Sequence, residues 1–242
     1  MISAVRLKLS LEYDGTRFRG WAVQPNLRTV EGVLRDAVGS VYESWERLAA
    51  AGRTDSGVHA LGQVVSVDVE GGPPVQRAPE ALNTAPPDDV SFSAAEEVST
   101  NFHARHSARA RSYRYRIWRR RTPSPFEQHR SYWFPQPIDY GALADCADVL
   151  IGKHDFRAFT PTVTQHQDFT RAIREAAWFE RGDALELEIT ANGFLRHMVR
   201  TLVGTMLEQT PDDLSRLLQG ARREEAGTTV PAHGLYLERV EY

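Results

Sequence analysis

Apolar and polar residues alternate from Val5 to Tyr13, with Val5, Leu7, Leu9 and Leu11 on one face, which predicts a strand ending at an Asp14-Gly15 turn. After Thr29 the period lengthens. Val30, Val33, Leu34, Ala37, Val38 and Val41 form one stripe of a helix that the Thr29 side chain can cap. Gln63–Val69 is again strand-like and is broken by Gly71-Gly72-Pro73-Pro74. A short helix around Glu80–Asn83 and a strand from Val90 to about Ala95 follow. From Ser112 to Trp118, Tyr113, Tyr115 and Ile117 face one way and Arg114, Arg116 and Trp118 the other.

The second half reads the same way. Thr122-Pro123-Ser124-Pro125 is the best candidate boundary within the chain, and Asp139 caps a helix with Leu143, Cys146, Ala147 and Leu150 inward, stopped at Gly152. Arg171–Glu180 and Ala184–Thr190 are expected to form a hairpin across Arg181-Gly182-Asp183. Phe194–Leu207 is expected to be helical, with Arg196 and Arg200 beside its apolar stripe, followed by a short helix over Asp212–Leu218 and a strand over Gly234–Tyr242. Alternating elements with hairpin-joined strands predict an α+β fold with mixed or antiparallel sheets rather than a doubly wound parallel sheet. No sequence repeat relates the halves.

Composition narrows the class. The chain has 242 residues, 41% hydrophobic and 25% charged, as in ordinary globular proteins. No apolar run approaches the roughly 18 residues of a membrane helix. The N-terminal run alternates and lacks the apolar core of a signal peptide, so the cytoplasm is the expected location. The lone Cys146 can form no internal disulfide or CxxC pair and is expected to be a small buried hydrophobe. His103 and His106, or His154 beside Asp155, lack a third ligand at a supporting spacing, so no metal site is expected. The net charge of −3 hides a basic segment, since eight arginines and no acid lie from Arg105 to Arg121. Aromatic rings alternating with arginines suit stacking of a base and holding of phosphate; they equally suit an edge strand with core aromatics and solvated arginines.

The most unusual run is Ala51-Gly52-Arg53-Thr54-Asp55-Ser56-Gly57-Val58-His59-Ala60. Small residues surround one Arg, one Asp and one His, and glycines flank Asp55, as where backbone must come close to a ligand. A carboxylate there can act as nucleophile or base. The same residues also suit a turn that reverses the chain, with the Asp bonding its own backbone.

AGRTDSGVHALGQV resembles the signature of the tRNA pseudouridine synthase A (TruA) family. YDGTRFRGWAVQPNLRTVEGVL, ALNTAPPDDV, NFHARHSARARSYRYRI, SPF at Ser124–Phe126, GKHDFRAF, ANGFLRHMVRTLVGTML and AGTTVPAHGLYLERVEY resemble its other blocks, in family order along the whole chain. The resemblance implies a pseudouridine synthase fold of two α+β halves around a central cleft, here residues 1–105 with the GRTD loop and 106–242 with the basic strand and the HMVR helix. It implies isomerisation of uridine to pseudouridine in the tRNA anticodon stem-loop, at positions 38–40, by a homodimer that uses no cofactor or metal. It assigns the catalytic carboxylate to Asp55, contact with the target base to Tyr113, filling of the flipped uridine's place to Arg53, and pairing with the carboxylate to Arg200. The connection Glu208–Pro211 is shorter than the glycine-containing loop common in relatives. A non-catalytic RNA-binding or folding protein on the same scaffold is the alternative; a sugar glycosidase lacks a clear second carboxylate for Asp55.

Overall fold

The computed structural model describes residues 4–164 and 166–242; Met1, Ile2 and Ser3, which begin the N-terminal run, lie outside the described residues. The chain forms two compact units, one of residues up to Arg109 together with Leu237–Tyr242, the other Ala110–Tyr236. The first holds β1 (Val5–Tyr13), α1 (Val30–Val41), β2 (Ser44–Ala50), β3 (His59–Glu70), α2 (Ala78–Leu82) and β4 (Val90–Glu97). The second holds β5 (Ala110–Trp118), β6 (Tyr132–Trp133), α3 (Tyr140–Val149), β7 (Gly152–Asp155), β8 (Thr170–Arg181), β9 (Ala184–Ala191), α4 (Met198–Glu208) and α5 (Pro211–Leu217). β10 (Leu235–Glu241) returns the chain to the first unit. No helix among the described residues is long and apolar enough to cross a membrane.

In the first unit β1 lies between β4 and β3, antiparallel to both, with Leu7 opposite Val67 and Leu9 opposite Val65. β2 runs antiparallel along the other edge of β3, and β10 also borders β3. The alternation of β1 therefore buries Leu7, Leu9 and Leu11 on one face, and Val30, Leu34, Ala37 and Val38 of α1 are buried as the helical stripe predicts. Each buried Leu or Val among them contributes roughly 1.5–3 kcal/mol when taken out of water. Thr29 accepts the Gly32 N–H at 3.3 Å, capping α1. Off the apolar face, Arg6 sits opposite Asp68 in the β1–β3 ladder and pairs with it at 2.6 Å. Arg47, in a left-handed bulge of β2, pairs with the same carboxylate.

In the second unit the strand order is β5-β9-β8-β7, antiparallel, with β6 pairing parallel to β5, so its sheet is mixed. The observed class is α+β, as the alternation of elements predicts. The Thr122–Pro125 segment lies inside this unit. α3 is capped by Asp139, which accepts the Ala142 N–H at 3.1 Å. Cys146 is buried on its inner stripe, and burial, helped by Asp145, pushes the thiol up to about 11.

Several elements differ from the pattern reading, the two-residue β6 among them. β2 has no alternating apolar face to announce it. β7 begins at Gly152, so the residue expected to stop the helix also opens a short edge strand. The fourth helix starts at Met198 rather than Phe194, because His197 takes a left-handed φ of 62° that no continuing helix tolerates. Phe194 is thereby free of the helix and packs edge-on against Tyr113, ring centres 5.0 Å apart.

Candidate active site

Arg53 and Asp55 stand on the loop from β2 to β3, with Arg53 exposed and Asp55 half-buried. The YDGTRFRGW segment wraps around this loop. Trp21 N–H donates to the Thr54 carbonyl at 3.0 Å, and the Ser56 hydroxyl to the Phe18 carbonyl at 3.1 Å. Gly20, at φ 89°, lies so close that a β-carbon would come within 3.2 Å of the Thr54 oxygen and 3.3 Å of the Ser56 nitrogen. Gly57, at φ 80°, turns the chain after Asp55, and Val58 N–H closes the turn on the Asp55 carbonyl at 3.2 Å. A tight turn is therefore present, but it is a turn fastened to a second segment.

Beneath the loop the rings of Tyr13, Phe18 and Trp21 are buried together, Tyr13 lying 6.3 Å from Phe18 and 6.2 Å from Trp21. The Arg28 guanidinium stacks 4.1 Å from the centre of Phe18 and grips Asp89 with two bonds of 2.8 and 2.7 Å. Burial pushes the Asp89 carboxyl up, but the bonds from Arg28 and the charges of Arg28 and Arg17 outweigh it and hold the group below the usual carboxylate range. Asp14 N–H donates to the Asp89 carbonyl at 3.0 Å, so this pair anchors the start of the wrapping segment. His59, buried where β3 begins, accepts the Gly15 N–H on Nδ1 at 3.0 Å. The roles of Gly20, Trp21 and Asp89 were not assigned from sequence; their nearness to the loop rests on contacts between segments far apart in the chain.

The other two expected site residues belong to the second unit. Tyr113 lies on β5 opposite Ile189 of β9, almost fully buried, with its ring against Phe194. Arg200 lies in the first turn of α4, and its Nε donates to the Val230 carbonyl at 2.8 Å. The Gly227–Val230 segment is laid along α4 so closely that a β-carbon on Gly204 would overlap the Thr228 carbonyl oxygen. Tyr115, fully buried between these features, donates to the Pro231 carbonyl at 2.8 Å. Its phenol is pushed well up by burial, which the nearby Arg200 charge only partly offsets.

The outward face of β5 differs from the reading of its arginines as a solvated row. Arg114 and Arg116 are ion-paired to the buried Glu186 of β9, at 3.4 and 2.5 Å. Arg116 also holds Glu127 through bonds of 3.0 and 2.8 Å. The bond from Arg116 and its charge outweigh burial and hold the Glu127 carboxyl below its ordinary range. These arginines pin the strand to β9 and to the Ser124–Ser131 turn, and are not a solvated row.

A family model described as tRNA pseudouridine synthase matches residues 10–107 and 146–242. Those stretches include Arg53, Asp55 and Arg200, whereas Tyr113 falls between them. The chain is 40% identical over 245 residues to the tRNA pseudouridine synthase A of Bacillus licheniformis, covering 98% of this chain and 99% of that protein. It is 41% identical, with the same coverage, to the protein of that name from Bacillus subtilis. It is also 41% identical to the one from Moorella thermoacetica, covering 98% of this chain and 99% of that protein. With a family match over most of its length and relatives similar from end to end, this chain belongs to the tRNA pseudouridine synthase family.

Proposed function

We propose that this enzyme isomerises uridine to pseudouridine in the anticodon stem-loop of tRNA, at positions 38–40, with Asp55 as the nucleophile. The observation that carries the reading is the fastening of the Arg53–Asp55 loop. Main-chain bonds and two close glycine contacts hold it from beneath, while Arg53 faces solvent. A side chain that must meet a reacting atom within a fraction of an ångström gains from such a rigid base.

In the reaction the N1–C1′ bond breaks, the uracil turns, and C5 bonds to C1′. The C5 proton is lost and N1 gains one, so nothing is added overall. A base inside a stem must first be flipped out, which costs a few kcal/mol. Arg53 would fill the place it leaves. Tyr113 would lie against the flipped uracil, and Arg200 would hold the catalytic carboxylate. The enzyme would act as a homodimer in the cytoplasm, without a cofactor.

The test is pseudouridine mapping at single-nucleotide resolution on an unmodified tRNA transcript, incubated with wild-type protein and with Asp55→Asn. Signal in the anticodon stem-loop with wild type alone supports the reaction, the substrate and the residue. Signal elsewhere replaces the target site. Binding without signal from wild type overturns the reading.

A further inference from the structure

The polar side chains of Tyr13, Thr54 and Gln63 are buried together in and under the Arg53–Asp55 loop. The Tyr13 hydroxyl and Thr54 Oγ1 are 2.7 Å apart. Gln63 Nε2 donates to the Gly52 carbonyl at 2.7 Å and, more weakly, to the Tyr13 oxygen at 3.5 Å. The orientation of the Gln63 amide is set, because its Oε1 accepts the Val64 N–H at 3.2 Å. Either hydroxyl can donate in the Tyr13–Thr54 bond, and the amide nitrogen adds a second bond to the Tyr13 oxygen. Burial pushes the Tyr13 phenol up to about 12, against the hydrogen bonds with Thr54 and Gln63, so it remains neutral at physiological pH.

Gln63 is fully buried, and Tyr13 and Thr54 nearly so. A buried hydroxyl or amide is costly unless hydrogen-bonded, and apolar residues could fill the same space. The bonds gain their meaning from where they end. Gly52 directly precedes Arg53 and Thr54 directly follows it, so the hydrogen-bond chain holds the Gly52 carbonyl on one side of Arg53 and the Thr54 side chain on the other, immediately before Asp55.

We propose that Tyr13 and Gln63 are positioning residues for the reaction, fixing through Gly52 and Thr54 the direction in which Arg53 and Asp55 leave the loop. The proposal rests on the assignment of Asp55 and Arg53 above. Neither Tyr13 nor Gln63 is asked to touch RNA.

The experiment compares Tyr13→Phe, Thr54→Val, Thr54→Ser and the Tyr13→Phe/Thr54→Val double variant, using single-turnover pseudouridine formation and equilibrium binding of an unmodified tRNA transcript. Tyr13→Phe and Thr54→Val should each slow the chemical step about tenfold to a hundredfold, with tRNA affinity changed less than about threefold. The double variant should be no slower than the worse single one, because both break one chain. Thr54→Ser should recover most of the rate. A Tyr13→Phe rate equal to wild type, a Thr54→Ser as slow as Thr54→Val, or equal losses in rate and affinity would each overturn the proposal. Trypsin cleavage after Arg53 gives a readout that needs no activity. It should accelerate at least about tenfold in Tyr13→Phe and Thr54→Val at temperatures where both remain folded. Unchanged cleavage overturns the network. An inactive wild type with accelerated cleavage in the variants instead overturns the functional reading and leaves the network standing.

Discussion

Gly15 and Val58 meet backbone to backbone: a β-carbon on Gly15 would overlap the Val58 carbonyl oxygen. The neighbour is main chain and cannot rotate away, so the Asp55 loop or the wrapping segment would have to move. Gly15→Ala should destabilise the protein by roughly 1–3 kcal/mol. It should also lower pseudouridine formation by more than the fraction unfolded explains. Thermal melting and a rate assay on the same sample check this. A variant with full activity would show that the contact does not set the loop.

Asp55→Asn keeps the size and the surroundings of the side chain and removes its nucleophilic character. Turnover should fall by roughly a thousandfold or more, while tRNA affinity stays within about threefold, since the carboxylate is asked for chemistry rather than binding. Single-turnover kinetics and filter binding measure the two separately. Substantial residual turnover would remove Asp55 from its role.

The Asp89 carboxylate gripped by Arg28 and Arg17 gives a pH-dependent contribution to stability. Its folded value lies below the usual one, so the contribution is present above the ordinary carboxylate range, near pH 4, and is lost as pH falls through the lowered folded value. Asp89→Asn should cost about 1–3 kcal/mol at pH 7, with the gap to wild type narrowing below about pH 4. Denaturant melts between pH 3 and pH 7 test this; a gap independent of pH would assign the loss to packing.

Tyr113 separates the roles of ring and hydroxyl. Tyr113→Phe retains the edge-on contact with Phe194 and should melt close to wild type. Tyr113→Ala loses that contact, worth about 0.5–1.5 kcal/mol beyond burial, and should lose activity. Equal and full activity in both variants would deny the ring any part in the reaction.

Much of this was legible because it is local. The Leu7–Leu9–Leu11 alternation, the Thr29 and Asp139 caps and the Leu34–Val38 stripe are each written within a few residues, and each appears as read. β2 was not legible. It is an edge strand whose register slips between Glu46 and Ala49, and its inward charge partner, Asp68, lies on another strand. The start of α4 was misread because Phe194 and Leu195 continue the apolar stripe, while the break comes from one backbone angle at His197. The GRTD loop stood out by composition and family likeness. Its fastening did not, because Tyr13 and Gly20 reach it across long sequence separations and Gln63 turns back to it from the following strand.

The return of β10 to the first unit has a consequence for synthesis on the ribosome. Gly62 of β3 packs against the Glu238 backbone, and the Tyr242 hydroxyl donates to the Ala104 carbonyl at 2.8 Å. The unit that bears Asp55 thus takes its last strand from residues translated after the whole of the second unit. The second unit is continuous in sequence and can fold as it emerges, whereas the nascent first unit must wait with the edge of β3 incomplete. A released chain that ends at Tyr236 should hold a folded second unit beside a first unit still open to proteases.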